Sequence, residues 1–378
     1  MTSHPDWGTR TKATEAATAF SAQIKNRYGP SALPSPSPTT VLPTTNPNSP
    51  QPTVLITGLT RNSLGEAAAL AIAAQGPALL ILASRTPANL DYVAREIASV
   101  RPSTAVATVQ LDLLSQASVR RAAGAIRRLA PRLDVLVNNA GVMTRARRTS
   151  PEGVEAQFAI NHVGPFLLTN LLVGLLVAAA EARGGTEGEG GEGGVMQASP
   201  RVVNVSSLGL RLSPVRFHDY NVEGREVPPE ERGPPDDKLP KQFVSEVDGY
   251  RGFTAYGQSK TANVLFAVAL TQRLKSRGVV AYGLHPGSIW TNLSRDLDEE
   301  GNAAIAGTAK DWKSPDEGAS TVIVAAFDPA LNEPSGSFLS DCQFYEPPPY
   351  ATDPEIADRL WSLSEDLVKE KFDLSSKL

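Results

Sequence analysis

The chain has 378 residues, of which 41% are hydrophobic, enough for one large α/β domain or two ordinary ones. Its formal net charge of −4 gives no reason to expect nucleic acid or an acidic membrane as a partner. Cys342 is the only cysteine and the four histidines are scattered, which excludes internal disulfides and predicts no metal site.

The first 52 residues divide into a helix and a linker. Residues 11–28 have a helical pattern, whereas residues 29–52 are rich in Pro, Ser and Thr and predict an irregular segment. No apolar stretch follows a basic start, so we expect no secretory signal. The longest apolar run, within residues 167–180, is too interrupted to span a bilayer readily. We therefore expect a buried helix there, no transmembrane segment and a cytoplasmic protein.

Strands and helices alternate from residue 53 to residue 345. Strands are predicted over residues 53–57, 78–83, 105–110, 135–138, 201–205, 279–284 and 336–339. Helices are predicted over residues 64–74, 90–99, 115–130, 254–277 and 316–327. This alternation predicts a single α/β domain, a doubly wound parallel sheet of the Rossmann type with helices on both faces. Residues 346–378 predict a C-terminal helical extension with a helix at 354–371.

Two insertions interrupt the alternation. The first, near residues 184–199, contains a run of Gly and Glu over 184–194, which predicts a solvated surface loop. The second, near residues 211–250, is rich in Pro and charge over 227–241. It could cover a substrate or be a plain surface excursion, and the sequence leaves both possibilities open.

A glycine-rich turn, Thr57-Gly-Leu-Thr-Arg-Asn-Ser-Leu-Gly65, follows the first predicted strand. Backbone N–H groups at a helix N-terminus can hold a pyrophosphate, and Gly58 and Gly65 would let it approach closely. Ser63 could cap the helix and offer its hydroxyl to a phosphate. The turn therefore predicts a dinucleotide site.

The second predicted strand ends at Ser84 and Arg85, without an acidic residue. An NAD-binding site usually has a carboxylate here for the ribose 2′-hydroxyl, whereas an arginine pairs with a 2′-phosphate. Arg85, with Arg61 as a second candidate, therefore favours NADP(H). The alternative for Arg85 is an ordinary surface arginine after a strand.

Tyr256 lies four residues before Lys260 on a predicted helix, so both side chains point the same way. A phenol, with a pKa of about 10, is a poor base near neutrality, and a nearby ammonium lowers that pKa. With a serine hydroxyl beside it, the pair could move a proton to or from oxygen while a hydride is transferred. Taken alone, the spacing is more typical of a solvated helix face.

The order of the motifs along the chain changes this balance. The turn is followed by Asn138-Asn-Ala-Gly141, Asn204-Val-Ser-Ser207 and Tyr256-Gly-Gln-Ser-Lys260. In this order the motifs resemble the short-chain dehydrogenase/reductase family, over roughly residues 53–342. Residues 158–170 are similar to its retinol-dehydrogenase-like and WW-domain-oxidoreductase-like branch. The chain departs from the family pattern after Gly58, where four residues follow and Ser63 replaces the second glycine.

The resemblance implies a catalytic tetrad. Tyr256 would be the general acid in carbonyl reduction and the base in alcohol oxidation. Lys260 would lower the pKa of Tyr256 and bind the nicotinamide ribose, and Ser207 would orient the substrate oxygen. Asn161 would hold a helix kink and a water in the proton path, although it could instead be an ordinary helix asparagine, with Pro165 as a second cause of kinking.

The resemblance also implies further cofactor contacts. Asp112 would meet the adenine amino group, although it could instead cap the helix near Ser115. The other implied contacts are Asn138, Ala140 and Gly141 along the cofactor channel, and Pro286, Gly287 and Thr291 at the carboxamide. Trp290 could face the substrate or be a core or lid aromatic, and residues 292–313 would form the variable substrate loop.

Together these observations predict an NADP(H)-dependent oxidoreductase acting on a hydrophobic ketone, aldehyde or alcohol. The long linkers and apparent lineage suggest a role in fungal secondary metabolism. The alternative is an NADP-sensing binding protein without turnover, although a sensor need not keep the tetrad. By analogy with the family, homo-oligomers would form through helices near 151–181 and 254–277.

Overall fold

The computed structural model describes residues 2–24, 51–183, 197–333 and 338–374. The predicted linker over 29–50 and the glycine-rich run over 184–194 lie outside these residues. The described strands are β1 (Thr53–Thr57), β2 (Leu79–Ser84), β3 (Val106–Gln110), β4 (Val135–Asn138), β5 (Arg201–Val205), β6 (Val280–His285), β7 (Phe338–Ser340) and β8 (Gln343–Tyr345).

These strands form one sheet in the order β3-β2-β1-β4-β5-β6-β7-β8. All neighbours pair in parallel except β7 and β8, which form an antiparallel edge. Every residue of β1, β2, β4 and β5 is buried, as expected when a parallel sheet is covered on both faces. The predicted α/β fold is confirmed. The strand β8 was not predicted, because three residues are too few to show a period.

Helices cover both faces of the sheet. They are α1 (Ala13–Ala19), α2 (Ser21–Ile24), α3 (Leu64–Gln75), α4 (Pro87–Val100), α5 (Gln116–Leu129), α6 (Ala156–Phe158), α7 (Gly164–Glu181), α8 (Lys241–Val244), α9 (Gly252–Leu274), α10 (Glu299–Ala306), α11 (Pro315–Phe327) and α12 (Pro354–Val368). A π-helical turn, Ala159–Val163, joins α6 to α7. One hydrophobic core lies under α5, α7, α9 and α12, and a second lies under α1, α3, α4 and α11 on the opposite face.

The terminal helices pack onto these two faces. On α1, Ala13, Ala16 and Ala17 are fully buried in the core shared with α3 and α11. On α12, the Trp361 ring lies edge-on to Phe166 of α7, with ring centroids 5.0 Å apart. Of the helix predicted over 11–28, the described residues, which end at 24, form two short helices, and residues 25–28 lie outside the described part of the chain. The helix α12 forms part of the core under α7 and α9.

One helical segment of the described chain, Ala156–Glu181, is long and apolar enough to cross a membrane by length and composition alone. Of its most apolar window, 78% is buried inside the protein. The core helix of a globular protein passes the same test. The segment lies between the sheet and α12, as the sequence predicted for a buried helix.

The second insertion leaves the carboxyl end of β5 through the 3₁₀ turn Leu208–Leu212. It contains the 3₁₀ turns Pro229–Glu231 and Asp236–Lys238, followed by α8. Parallel strands present their carboxyl ends to the ligand crevice of an open α/β sheet. The insertion therefore lies beside the place where the predicted site residues converge.

Candidate active site

The turn after β1 brings the backbone close to the loop that follows β4. Gly58 has a φ of +77°, and a Cβ atom there would lie 2.4 Å from the Cα of Ala140. A Cβ on Gly65 would lie 2.7 Å from the Gly58 oxygen. Ser63 caps α3 by accepting a hydrogen bond of 3.2 Å from the Glu66 N–H. Despite its altered spacing, the turn therefore packs closely and opens α3 with a capped N-terminus.

A cavity extends from this turn along the carboxyl ends of the strands. The predicted cofactor residues that line it are Gly58, Ser63, Ser84, Arg85, Asp112, Ala140, Gly141, Tyr256, Lys260, Pro286, Gly287 and Thr291. Of the predicted tetrad, Ser207, Tyr256 and Lys260 line it as well. Residues from six separate loops and from α9 thus meet in one cavity, which the glycine-rich turn and Tyr256 both line.

Arg85 lies at the end of the cavity where β2 stops. Its side chain is exposed, and no carboxylate of the described residues lies within ion-pair distance of its guanidinium. Ser84 donates a hydrogen bond of 3.2 Å to the Leu59 oxygen, which ties β2 to the turn. Arg61 is placed differently from the prediction: it lies outside the cavity lining, 5.4 Å from the ring centroid of Tyr92.

Two predicted cofactor residues have structural contacts instead. Gly65 does not line the cavity, because it packs against Gly58 and Asn139. Asn138 also lies outside the lining: it is buried and donates to Asn204 at 2.9 Å and to Thr169 at 3.1 Å. As the last residue of β4, it points into the core between β5 and α7.

The next residue, Asn139, was missed by the sequence reasoning and lines the cavity. Its side chain donates to the Thr57 oxygen at 2.8 Å and to the Gly58 oxygen at 2.9 Å. The Thr57 hydroxyl in turn accepts from the backbone N–H groups of Asn139 and Ala140, both at 3.1 Å. The alternation of strand residues could have separated Asn138 from Asn139.

Asp112 lines the cavity and does not cap α5. Its Oδ1 accepts from the Leu114 N–H at 3.0 Å, which closes a local turn. The cap is Ser115, whose hydroxyl accepts from the Ser118 N–H at 3.3 Å. Asp112 therefore remains available at the wall of the cavity, beside Leu111 and Leu113, which the sequence reasoning did not single out.

Tyr256 and Ser207, two members of the predicted tetrad, both line the cavity. Tyr256 is in the first turns of α9, and Ser207 follows β5, where its hydroxyl accepts from the Gly209 N–H at 3.0 Å. The Ser207 hydroxyl acts on the phenol of Tyr256 by lowering its pKa. A Cβ on Gly209 would lie 2.9 Å from the tyrosine ring, so the glycine gives the ring its space.

Burial controls the acidity of this pair. The Tyr256 pKa is raised to about 12, because burial outweighs the lowering by the Ser207 hydrogen bond. Burial likewise lowers the Lys260 pKa to about 8. The sequence predicted that Lys260 would lower the Tyr256 pKa. In the structure, Lys260 Nζ lies 5.5 Å from the tyrosine ring centroid and donates to the Val205 oxygen at 3.0 Å.

Asn161 lies in the π-helical turn, behind the cavity wall. Its side chain donates to the Ser259 hydroxyl at 2.9 Å and accepts from the Val142 N–H at 2.8 Å. Pro165 has no N–H to bond the Asn161 oxygen in an α-helix, and Asn263 donates to that oxygen at 2.6 Å instead. The helix is therefore distorted at Asn161, with Pro165 as one cause, and the asparagine braces the loop after β4.

The loop after β6 is held from behind by a lysine. Gly287 has a φ of +92°, and a Cβ there would lie 2.6 Å from Cδ of Lys313. Lys313 is buried and forms an ion pair with Asp341. His285, at the end of β6, lines the cavity and accepts from the Leu208 N–H at 3.3 Å through Nδ1, and burial lowers its pKa to about 4.

An apolar cluster lies beside Tyr256, on the side of the second insertion. Met143, Phe253, Leu297 and Ala304 are its buried members besides Tyr256. The partly buried members are Leu212, Phe243, Leu293 and Ile305. Trp290 is not among them: it is 55% exposed and packs on Trp312. The insertion and the segment over 292–306 thus supply apolar side chains next to the reactive tyrosine.

Substituting Gly58 by Ala should weaken dinucleotide binding at least tenfold, since tenfold corresponds to about 1.4 kcal/mol. The added methyl group would overlap Ala140, and the positive φ would be strained by about 1–3 kcal/mol. Fluorescence titration with NADPH gives the Kd. Gly174→Ala is the control, because a Cβ there meets nothing within 4 Å. An unchanged Kd for Gly58→Ala would contradict the placement of the pyrophosphate at this turn.

Comparisons with known proteins agree with this geometry. Residues 52–186 match the family model described as short chain dehydrogenase. The chain is 34% identical over 320 residues to the short-chain dehydrogenase TIC 32 A, chloroplastic, of Brassica napus, covering 84% of this chain and 88% of the relative. It is 33% identical over 332 residues to retinol dehydrogenase 14 of Homo sapiens, covering 84% of this chain and 86% of the relative.

A solved structure of an uncharacterized protein from Mycobacterium paratuberculosis has the same fold. The two superpose with a TM-score of 0.59 at 29% sequence identity, covering 85% of this chain and 95% of the other. The similarity therefore extends well beyond the residues matched by the family model.

Proposed function

The chain belongs to the short-chain dehydrogenase family, in the branch that contains retinol dehydrogenases, and we propose that it is an NADP(H)-dependent oxidoreductase of hydrophobic carbonyl compounds and their alcohols. The family binds a nicotinamide cofactor and catalyses oxidation and reduction. The observation that carries the proposal is one cavity that is lined both by the glycine-rich turn and by the side chains of Ser207, Tyr256 and Lys260.

The lining residues fit a dinucleotide. Gly58 and Ala140 are packed too closely for a larger residue at position 58, as a backbone cradle for a pyrophosphate requires. The capped N-terminus of α3 lies at the same place and favours an anion. Small residues at Ala140 and Gly141 leave room for a ribose. When bound, the nicotinamide supplies or accepts the hydride.

The protein residues handle the proton and the substrate oxygen. In reduction, Tyr256 donates its phenolic proton to the carbonyl oxygen, and Ser207 holds that oxygen through a second hydrogen bond. A phenol with a pKa of about 12 stays protonated at neutral pH, as a proton donor in reduction must. Lys260 supplies a positive charge beside the ring and a donor for the ribose hydroxyls.

The preference for NADP(H) rests on Arg85. An exposed arginine at the end of β2, without a carboxylate partner among the described residues, can pair with a 2′-phosphate. No acidic residue stands at Ser84 or Arg85 to accept bonds from a free 2′-hydroxyl. Arg61 supports the preference less, because its side chain lies on Tyr92.

Arg85→Asp should shift the preference from NADPH toward NADH. Loss of a charge-assisted contact worth roughly 1.5–3 kcal/mol predicts about a tenfold to hundredfold weaker NADPH affinity. The measurement is the ratio of kcat/KM for the two cofactors. Arg61→Ala, which removes the arginine outside the cavity, should change the ratio less. Two results would show that these arginines do not select the cofactor. One is a wild type that already prefers NADH, and the other is an unchanged NADPH-to-NADH ratio of kcat/KM in the double variant Arg85→Asp with Arg61→Ala.

The proposed activity is tested by turnover. NADPH oxidation is followed with a panel of hydrophobic ketones and aldehydes, and NADP⁺ reduction with the matching alcohols. We expect turnover of at least one carbonyl–alcohol pair of the panel at pH 7. Tight NADPH binding without turnover on any panel member would favour an NADP-sensing protein instead.

The cellular location and the metabolic role of the protein have less support than its activity. Burial of the apolar segment Ala156–Glu181 argues against its spanning a membrane, and a cytoplasmic location stays a prediction from the sequence. A role in secondary metabolism stays a prediction from the sequence.

A further inference from the structure

Arg145 joins two surface segments beside the active site. Its side chain is 4% exposed and lies between the second insertion and the segment over 292–306. The guanidinium donates to both carboxylate oxygens of Asp298, at 2.7 and 2.9 Å. Its other terminal nitrogen donates to Glu300 at 2.8 Å and to the Ser245 hydroxyl at 2.9 Å. We call these four residues the Arg145 clasp.

The Arg145 clasp packs against the start of α9, the helix that carries Tyr256. Arg145 follows Met143 by two residues, and Met143 belongs to the apolar cluster around Tyr256. A Cβ on Gly252, at the start of α9, would lie 2.4 Å from the Thr144 oxygen. A Cβ on Gly301 would lie 2.9 Å from Cδ of Arg145. The arginine is thus packed tightly against the helix of Tyr256 on one side and against α10 on the other.

The two halves of the clasp differ in exposure. Arg145 is buried, whereas the side chains of Asp298 and Glu300 are 49% and 56% exposed. When the halves separate, the carboxylates regain water, but the guanidinium leaves its burial site or remains without partners. A buried charge without a partner is strongly unfavourable. The closed arrangement is therefore favoured mainly because separation would leave the buried guanidinium of Arg145 without its carboxylate partners.

The clasped segments carry apolar side chains next to the cavity, which we call the outer apolar wall. Leu293 lines the cavity, and Phe243, Leu297 and Ile305 pack with it in the cluster that contains Tyr256. Phe243 comes from the insertion, two residues before Ser245, and the other three come from the 292–306 segment. A long apolar substrate would contact this wall, whereas a very small carbonyl compound would need only Tyr256 and Ser207.

We propose that Arg145 is a positioning residue that fixes this wall and so makes the enzyme selective for bulky hydrophobic carbonyl substrates. The inference rests on the proposed function. Arg145 acts through the two segments that it joins and does not itself contact the substrate. Loosening the clasp leaves the proton donor and the cofactor turn unchanged, so the loss falls on the binding of long substrates.

The test compares propanal with decanal as substrates of wild type, Arg145→Met and Arg145→Lys. For Arg145→Met, we expect the KM for decanal to rise about tenfold, or about 1.4 kcal/mol of binding. The KM for propanal and the Kd for NADPH should stay within about twofold, because Ser207 and Tyr256 are intact. Arg145→Lys keeps the charge with fewer donors, so its KM for decanal should lie between those of wild type and Arg145→Met.

The double variant Asp298→Asn and Glu300→Gln tests the same contact from its exposed side and serves where Arg145→Met fails to fold. Asparagine can still cap α10, so the helix should persist. Arg251→Met is the matched control, because Arg251 also binds two carboxylates of the insertion, Asp236 and Glu246, without reaching the 292–306 segment. The ratio of its KM for decanal to its KM for propanal should be the same as in wild type.

The outcomes separate the two proposals. An unchanged decanal-to-propanal ratio in the Arg145 and carboxylate variants, with wild type active, overturns the clasp alone. Equal losses for both aldehydes do the same, since they indicate general damage to the site. A wild type without turnover on either aldehyde or on the wider panel overturns the proposed function and the clasp with it.

Discussion

Tyr256→Phe should reduce carbonyl reduction by about 10²–10⁴-fold, the usual contribution of a positioned general acid. Phenylalanine keeps the ring that packs against Gly209 and removes only the phenolic hydroxyl. The Kd for NADPH should change by no more than about twofold, because the pyrophosphate end of the cavity is untouched. Steady-state turnover and fluorescence titration give the two numbers.

A partly buried tyrosine, Tyr350, provides the control for this experiment. Burial raises the Tyr350 pKa to about 12, as it does for Tyr256, and its hydroxyl donates to the Leu210 oxygen at 2.9 Å. Tyr350→Phe therefore loses a comparable hydroxyl near the site without removing the proton donor. We expect its turnover within a few-fold of wild type. If Tyr256→Phe behaves like Tyr350→Phe, Tyr256 is not the general acid.

Lys260→Met should abolish most turnover and leave the fold at least as stable at pH 7. Burial lowers the Lys260 pKa from 10.5 to about 8. Since a tenfold change in proton affinity is worth about 1.4 kcal/mol, the buried ammonium costs the folded state about 3 kcal/mol below pH 8. Methionine removes that cost, although it also removes the hydrogen bond to Val205, worth about 1 kcal/mol. The measurement is thermal unfolding beside turnover.

The pH dependence gives an independent check on Lys260. Between pH 8 and 10.5 the unfolded chain binds more protons at Lys260 than the folded protein does, so this residue makes stability rise with pH. Lys260→Met should lack that contribution. In wild type, kcat/KM for reduction should fall as pH rises through about 8, because the ammonium is lost while Tyr256 stays protonated. A much lower Tm in the variant at pH 7 would contradict a destabilising buried charge.

The strands could be predicted from the sequence because apolar runs between polar turns leave little choice. The bounds predicted for β1, β4 and β5 agree with those observed. The helices were also predicted, with ends that differ by a few residues. The clearest difference at the N-terminus is that a single helix was predicted where α1 and α2 form, and their packing against α11 could not be read from local pattern.

The candidate site was harder to predict, because it depends on the direction in which each side chain points and on how deeply each side chain is buried. The Asn-Asn pair after β4 is visible in the sequence, but which of its members faces the cavity depends on where the strand ends. Spacing placed Tyr256 and Lys260 on one face of α9 and suggested a lowered phenol pKa. Desolvation, which no spacing encodes, reverses that direction. The ion pair of Arg145 with Asp298 joins residues far apart in the chain and left no local signal.

The packing of α12 bears on how many subunits the enzyme could have. Family analogy suggested subunit contacts through helices near 151–181 and 254–277. In this chain, Leu360 and Trp361 of α12 lie in the same core as Phe166 of α7 and Phe266 of α9. The C-terminal helix therefore covers apolar surface of α7 and α9 from within the chain itself. An assembly through that part of the surface would first have to displace α12.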